Sequence, residues 1–405
     1  MTPRRRRPYF AALLLALGFA DSLAGQHVDL GRLRDTMGTI LDAAVRDSVF
    51  PGAIAVVGTR DRVLLERGAG HLDWVPSPAP DGSTLWDIAS LTKVVALTTA
   101  VMQLTEQGKI ELDAPVGSYL PEFTGSGKER VTVRQLLTHS SGLPAWRPLF
   151  REATTPDSAL ALVFATLLDT VPGTRMVYSD LGAILLGQLV VRVSGEPFDR
   201  YVQTRILAPL GMRDTQFRPP RGLWERVAPT EVDTVYRKRH VRGEVHDENA
   251  YALGGVSSHA GLFSSARDLA RFARMLLNGG TLDGVAIVAP ATIAEFTRVQ
   301  DSALSHRALG WETPNGRNSG GHLLSRRAFG HTGFTGTSLW VDPENDVFIL
   351  LLSNRVNPTR ERTGIAAVRV ALADAVLTVI RPAGQPPPEE PEPRPRTTPD
   401  GPPRR

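Results

Sequence analysis

The residues Leu85-Trp86-Asp87-Ile88-Ala89-Ser90-Leu91-Thr92-Lys93 begin a helix around which the rest of this chain is expected to pack, and an apolar run continues to Gly108. Ser90 and Lys93 are three residues apart, so they lie on one helix face within reach of each other. The backbone N–H of Ser90 lies among the unpaired donors at the positive end of the helix. Such a position suits a nucleophile whose transition state develops an oxyanion. Apolar side chains cover nearly every face of the helix, which indicates that it is central and buried. They are Val94, Val95, Leu97, Val101 and Leu104.

The composition is that of an ordinary globular protein, with 42% hydrophobic and 22% charged residues. A length of 405 residues allows one large domain or two closely packed subdomains. The absence of cysteine excludes disulfides, thiolate metal sites and a thiol nucleophile. The 9 histidines are not spaced as metal ligands, and the glycine-rich residues 125–129 lack the leading glycine of a phosphate loop. We therefore expect neither a metal nor a cofactor.

The two ends of the chain have compositions of their own. Residues 1–24 have the features of a signal peptide, with arginines at 4–7, an apolar segment and the small-residue pattern Ser22-Leu23-Ala24. The apolar segment is too short to span a membrane, and an uncleaved anchor is the alternative. Removing four arginines and one aspartate with this segment lowers the formal net charge from +4 to +1, so no basic patch indicates nucleic-acid binding. The proline-rich residues 382–405 are predicted to be a disordered tail, which leaves 25–381 as the domain.

The order of the predicted elements indicates an α+β fold. Strands are expected at 53–59, 62–68, 308–311, 328–332, 337–341 and 347–352. Helices are expected at 30–49, from Ser90 to 108, and at 131–137, 156–169, 180–194, 197–209, 265–277 and 361–380. Because strands come at both ends of the chain, we expect an antiparallel sheet of N- and C-terminal strands flanked by helices, with an inserted all-helical region.

Three short motifs could carry chemistry, although each alone also has a structural interpretation. Ser90 and Lys93 could be a helix-capping serine and a lysine whose stem lies along apolar surface. Tyr178-Ser179-Asp180 could be a helix start, and His331-Thr332-Gly333 a glycine-rich strand end. Their order along the chain points instead to one site assembled from three distant segments.

In this order, Ser-x-x-Lys, Tyr-x-Asp and His-Thr-Gly resemble the motifs of the class C-like branch of the serine β-lactamase and penicillin-binding-protein superfamily. The resemblance extends over roughly residues 30–380 and implies a β-lactamase/transpeptidase-like fold. Further stretches that resemble this branch are 136–144, 206–212, 254–264 and 352–355.

The resemblance implies a role for each motif residue. Ser90 would be the acyl-accepting nucleophile and Lys93 its activating partner. Tyr178 would shuttle the proton, with either Lys93 or Tyr178 as the base. The oxyanion hole would consist of the backbone N–H groups of Ser90 and Phe334. The substrate-binding residues would be Asp180, His331, Thr332 and Gly333.

Two residues depart from the pattern of that branch. Asp180 stands where asparagine is more usual, and its carboxylate should raise the pKa of Lys93, which favours Tyr178 as the base. His331 replaces a lysine, and a neutral imidazole attracts a carboxylate less than an ammonium does. Some D,D-peptidases of this branch carry His-Thr-Gly, whereas efficient β-lactamases usually have lysine there. We therefore expect something other than a potent β-lactamase.

The sequence thus predicts an exported, cofactor-free serine hydrolase, periplasmic or extracellular, that forms an acyl-enzyme on Ser90. A D-Ala-type peptide of the cell wall is the first expected substrate, and a small ester or amide is the second. One alternative is a β-lactamase. The other is a non-catalytic cell-envelope binding module, which the intact set of Ser90, Lys93 and Tyr178 disfavours.

Several histidine-containing segments lie outside the three motifs. We expect His139 and His259 to make structural hydrogen bonds, and residues 246–249 to order a long loop rather than face the cleft. The expected partners are a small peptide, ester or β-lactam substrate, or peptidoglycan. Neither nucleic acid nor a membrane span in the mature chain is expected.

Overall fold

The computed structural model describes residues 28–380, so the predicted signal peptide and proline-rich tail lie outside the described residues. The α-helices are α1 (Leu30–Arg46), α2 (Thr99–Glu106), α3 (Val133–Leu137), α4 (Leu149–Glu152), α5 (Pro156–Ala165), α6 (Asp180–Ser194), α7 (Phe198–Val202), α8 (Glu248–Ala252), α9 (Ala266–Leu277), α10 (Pro290–Thr297) and α11 (Ile365–Ile380). The strands are β1 (Gly52–Gly58), β2 (Val63–Gly70), β3 (Trp86–Asp87), β4 (Gln216–Phe217), β5 (Val232–Asp233), β6 (Arg239–His240), β7 (Leu262–Ser264), β8 (Thr281–Leu282), β9 (Val285–Ala286), β10 (Phe329–Thr332), β11 (Ser338–Asp342) and β12 (Val347–Ser353).

The main sheet joins the two ends of the domain. Its five antiparallel strands have the order β10-β11-β12-β1-β2, and Val56 of β1 lies opposite Leu350 of β12. Every residue of β1 and β12 is buried, which explains why both strands have continuous apolar sequences. Helices α1 and α11 cover one face, whereas α9 and the inserted helices cover the other. The predicted α+β fold, with its antiparallel sheet of N- and C-terminal strands, is therefore confirmed.

Helix α6 carries the second motif into the inserted helical region. Ser179 is its N-cap, with a hydroxyl that accepts the N–H of Gly182 at 3.3 Å, and Gly195 ends it with a φ of +72°. No single helix within residues 28–380 is both long and apolar enough to cross a membrane. Helix α6 and the segment Phe198–Leu207 are together long and apolar enough to cross a membrane, but they are bent by 76° relative to each other.

Several predicted helices are shorter in the structure, and the helix predicted at 197–209 is α7 followed by a π-helix, Gln203–Leu207. Two further predicted elements differ as well. The helix after Ser90 begins as a π-helix, Lys93–Thr98, and continues as α2, which ends as expected before Gly108 at a φ of +66°. The strand predicted at 308–311 is wrong, because this segment is a tight turn around Gly310. That glycine has a φ of +81° and donates its N–H to the Leu137 carbonyl at 2.9 Å. A Cβ there would lie 2.2 Å from the Thr98 hydroxyl, so the backbone passes close to the central helix.

A smaller sheet, in the order β3-β7-β4, fixes the segment that precedes Ser90. Asp87 at the end of β3 pairs with Phe263, and the N–H of Ile88 donates to the Leu262 carbonyl at 3.1 Å. The Thr92 hydroxyl accepts the N–H of Leu262 at 3.2 Å from the other side. The turn that carries Ser90 is therefore tied to β7 both before and after the serine.

Candidate active site

The turn before Ser90 is held by a buried carboxylate. Ala89 has a φ of +46°, a conformation that costs energy for a residue with a Cβ, and its N–H donates to Asp87 Oδ1 at 2.8 Å. The other oxygen of Asp87 accepts the backbone N–H of His246 at 2.6 Å. Burial raises the pKa of Asp87, although these two backbone hydrogen bonds act in the opposite direction. Asp87 therefore joins the strained turn to the loop that carries His246.

Lys93 lies beneath Ser90 with its ammonium fully surrounded. Its Nζ is 2.9 Å from Ser90 Oγ, 2.9 Å from the His259 carbonyl oxygen and 2.7 Å from Asp180 Oδ1. The side chain is 3% exposed, so burial acts to lower the pKa of Lys93. Burial is the largest single effect, but the charges of Asp180 and Tyr178 and the hydrogen bonds with both together outweigh it. The net pKa of Lys93 is therefore raised, as the sequence predicted. An ammonium with three acceptors around it is the state that this geometry favours.

Tyr178 closes the site from the helical region. Burial raises the pKa of its phenol, and the positive charge of Lys93 only partly opposes this effect. Lys93 Nζ and the Arg307 guanidinium each lie 5.0 Å from the centre of the Tyr178 ring. The His139 ring packs on it at 4.5 Å, and His139 Nδ1 accepts the N–H of Ser179 at 3.1 Å. His139 thus makes the structural hydrogen bond that the sequence predicted, at the residue next to Tyr178.

The third motif lies on edge strand β10. His331 Nδ1 is 2.8 Å from the Thr332 carbonyl oxygen, so Nδ1 carries the proton and Nε2 is a free acceptor. Burial lowers the pKa of His331 well below its usual value, and the charges of Arg307 and Lys93 lower it further. His331 is therefore neutral at pH 7, as expected. A Cβ on Gly333 would lie 2.6 Å from the Ile88 carbonyl oxygen, so only glycine lets this strand end approach the Ser90 turn so closely.

The segment after the third motif is tied to the Ser90 turn. The hydroxyls of Thr335 and Thr337 donate to the carbonyls of Asp87 and Ile88 at 2.7 and 3.0 Å. Arg355 Nε donates to the Phe334 carbonyl at 2.9 Å, and its guanidinium lies 4.5 Å from the centre of the Phe334 ring. These contacts fix the backbone of residue 334 relative to Ser90, while the phenyl ring itself is 50% exposed.

A cavity of about 540 Å³ brings most of the predicted site residues together. Those that line it are Ser90, Tyr178, Asp180, His331, Thr332, Gly333 and Phe334. Lys93 contacts Ser90 from below the cavity floor. Sequence reasoning missed Arg307, which also lines the cavity and has a buried Nη1 without a hydrogen-bond partner in residues 28–380. Its other terminal nitrogen lies 3.1 Å from Glu312, and no motif in the surrounding polar stretch marked this arginine.

One wall of the cavity is the segment 246–248, which the sequence placed in an ordered loop. The expectation that this segment does not face the cleft is wrong, since His246, Asp247 and Glu248 line the cavity. His259 Nε2 lies 2.9 Å from Asp247 Oδ1, and its Nδ1 lies 2.7 Å from the Ser257 hydroxyl. These contacts hold the residue whose carbonyl binds Lys93, which explains why the buried His259 is structural.

The described part of the chain offers no ready metal site. Within residues 28–380, no three or more side chains of His, Asp or Glu come together as potential ligands. The polar groups at the cavity instead form a nucleophile, a buried ammonium and an adjacent phenol. This arrangement is suited to acyl transfer through a serine.

Comparison with known proteins gives the same result. The family model described as Beta-lactamase matches residues 37–374. A protein of Salmonella agona (strain SL483) named "Putative D-alanyl-D-alanine carboxypeptidase" is 35% identical over 353 residues, which cover 76% of this chain and 80% of that protein. A protein of the same name from Salmonella typhi has the same identity and coverage.

Solved structures share the architecture at lower identity. EstCE1, a hydrolase with promiscuous acyltransferase activity, has a TM-score of 0.71 at 21% identity, covering 86% of this chain and 99% of that one. A penicillin-binding protein homologue from Caulobacter crescentus has a TM-score of 0.69 at 22% identity, covering 86% and 97%. These likenesses support the fold, and the family match supports the class of enzyme. The chain belongs to the Beta-lactamase family, within the superfamily of serine β-lactamases and penicillin-binding proteins, and is a serine hydrolase of that superfamily.

Proposed function

We propose that this chain is an exported D,D-carboxypeptidase-like enzyme that forms an acyl-enzyme on Ser90. The observation that carries the proposal is the contact of Ser90 Oγ with the Lys93 ammonium at 2.9 Å, beneath a cavity that is also lined by Tyr178. Export rests on the signal-like composition of residues 1–24. The carboxypeptidase activity is suggested by the name of the 35% identical relatives.

Tyr178 is the group that moves the proton in this proposal. The Lys93 ammonium donates to Ser90 Oγ and to the His259 carbonyl and forms an ion pair with Asp180, so it has no lone pair to accept a proton from Ser90. A neutral Tyr178 can accept the proton of Ser90 while giving its own proton to the leaving amine, so no phenolate is needed at rest. Lys93 then stabilises the negative charge that develops on the Ser90 and Tyr178 side-chain oxygens.

Two backbone amides are available for the oxyanion. Neither Ser90 N–H nor Phe334 N–H donates to another group within residues 28–380. The contacts of Thr335 and Thr337 with the Ser90 turn hold the two amides in a fixed relation. Fixed donors of this kind stabilise a tetrahedral intermediate without reorganising during the reaction. Water then attacks the acyl-enzyme and releases the acid.

Arg307 gives this site a preference for a leaving group that carries a carboxylate. His331 is neutral and offers Nε2 as an acceptor, so it supplies no positive charge at the third motif. The Arg307 guanidinium lies over Tyr178, and its buried Nη1 has no partner. A buried donor without a partner is costly, and a substrate carboxylate would satisfy it. The terminal carboxylate of a D-Ala-D-Ala peptide is such a group.

Intact mass measurement with a penicillin tests the nucleophile. Wild-type protein is expected to gain a lasting adduct, and Ser90→Ala is expected to gain none. An adduct on Ser90→Ala would refute the assignment of Ser90, and rapid turnover of the penicillin would favour a β-lactamase.

The leaving-group preference is tested by comparing hydrolysis of an acyl-D-Ala-D-Ala peptide with that of its C-terminal amide. The wild type is expected to favour the free acid by at least about tenfold. Arg307→Gln should lose that preference while retaining hydrolysis of p-nitrophenyl acetate, whose leaving group has no carboxylate. Equal preference in Arg307→Gln and wild type would refute the role of Arg307.

A further inference from the structure

A second cavity of about 550 Å³ continues from the catalytic cavity at one end. The two cavities share Trp146, Glu248 and Arg360, and Trp146 is 48% exposed between them. Arg307 and His331 line the catalytic cavity but not the second one. The catalytic cavity therefore adjoins a groove that Arg307 and His331 do not line.

Six of the residues that line this groove are aromatic or aliphatic, and polar and charged residues line the rest. The six are Trp146, Phe150, Val232, Val235, Tyr236 and Pro358. The rings of Trp146 and Phe150 are 6.3 Å apart, and those of Phe150 and Tyr236 are 4.8 Å apart. Val235 is 70% exposed beside them, and Tyr236 is 36% exposed. Exposed apolar side chains that lie together next to an active site indicate a binding surface.

The buried charges along the groove are already paired with one another. Arg360 forms ion pairs with Glu231 and Glu248, and Asp233 lies 2.8 Å from Arg237. Arg151 and Glu361 are the exposed charges at its margin, and Arg151 lies 5.3 Å from the centre of the Phe150 ring. The groove is therefore suited to apolar contact, because its inner charges have no need of a ligand.

The loop that presents Tyr236 is built to keep its position. Asp233 accepts the N–H groups of Val235 and Tyr236 at 3.1 and 2.8 Å. Arg237 is buried and donates to the carbonyls of Val245 and His246. A turn fixed in this way holds the Tyr236 ring over the groove before any ligand binds, which lowers the entropic cost of binding.

We propose that this groove binds the acyl part of the substrate, as an extended chain that bears an apolar or aromatic group. The inference rests on the proposed acyl-enzyme. If the carboxylate of the leaving group lies at Arg307, which does not line the groove, the acyl part has room to extend past Trp146 into the groove. In the reaction, the Ser90 Oγ–acyl bond forms as the bond to the leaving group breaks, and the proton of Ser90 is matched by one given to that group. The acyl chain stays bound in the groove until water releases it.

A series of p-nitrophenyl esters tests the groove independently of Arg307, because their leaving group carries no carboxylate. Acetate, butyrate, octanoate and 6-phenylhexanoate esters differ only in the acyl part. In the wild type, kcat/KM is expected to rise at least about tenfold from acetate to 6-phenylhexanoate. Tyr236→Ala and Phe150→Ala should lose most of that rise and keep acetate hydrolysis within about twofold of the wild type.

Conservative and distant variants provide the controls. Tyr236→Phe keeps the ring and should keep the rise. Val171→Ala changes a residue that is 53% exposed outside the groove and should behave as the wild type. The groove proposal would be overturned if kcat/KM did not rise along the ester series, or if the rise persisted in both alanine variants, while hydrolysis still depended on Ser90. Loss of all Ser90-dependent hydrolysis would overturn the proposed function and this inference together.

Discussion

Asp180→Asn is predicted to move the alkaline limb of the pH–rate profile to lower pH by about two units. Coulomb's law with an effective dielectric constant of about 20 gives roughly 6 kcal/mol for charges 2.7 Å apart. Removing one member of a buried ion pair costs about 3 kcal/mol or more in practice, and about 3 kcal/mol corresponds to about two pH units. Lys93 is 3% exposed, so water replaces little of this interaction. Without the Asp180 carboxylate, the Lys93 ammonium should lose its proton at lower pH.

The assay is kcat/KM for ester hydrolysis between about pH 5 and pH 11, with protein integrity checked at each pH. Asp113→Asn is the matched control, since Asp113 is a surface carboxylate, 74% exposed, that pairs with Arg134. If Lys93 were instead a neutral base, a lower pKa would increase the fraction of free amine. The acid limb would then move to lower pH and the rate at pH 7 would rise. That result, or a profile identical to the wild type, refutes Tyr178 as the base.

Two further predictions concern the framework of the site. Burial alone would raise the pKa of Glu231, but hydrogen bonds from His246 and Arg360 lower it from 4.5 to about 2. The ionised Glu231 contributes about 3 kcal/mol to the free energy of unfolding above pH 4.5, and this contribution is lost as the pH falls towards 2. The free energy of unfolding of Glu231→Gln, measured with urea, should therefore lack this dependence on acid pH. An equal acid dependence in both proteins would contradict this. Gly333→Ala should slow penicillin acylation at least about tenfold, because its Cβ would collide with the Ser90 turn, whereas Gly222→Ala has open space and should not. Equal acylation rates would contradict the close approach.

The elements that could be predicted from sequence are those with strong local patterns. The apolar runs at 53–59 and 347–352 predicted β1 and β12 at nearly correct bounds. The incorrect prediction of a strand at 308–311 has a physical cause. Ala-Leu-Gly-Trp has the composition of a strand, but Gly310 takes a left-handed conformation to let its N–H reach helix α3. Contacts between distant segments outweigh local propensity there.

The candidate site could be predicted only as far as its motifs reach. Ser90, Lys93, Tyr178 and His331 stand in short motifs whose order along the chain resembles that of a known superfamily, so the sequence predicted one shared site. Arg307 stands in an irregular polar stretch, and only the folded chain brings its guanidinium over the Tyr178 ring. The groove escaped prediction for the same reason, since Phe150 and Tyr236 are 86 positions apart in the chain.

The two departures from the family pattern act on Lys93 in the same direction. A lysine at position 331 would add a second cation near Lys93, whose charge already lowers the pKa of His331. A neutral His331 removes that repulsion, and Asp180 adds an attraction at 2.7 Å. Both changes favour the ammonium form of Lys93, so they act together as one electrostatic change. In the proposed function, the positive charge that binds the substrate carboxylate comes instead from Arg307, which lines the cavity with an unpaired Nη1.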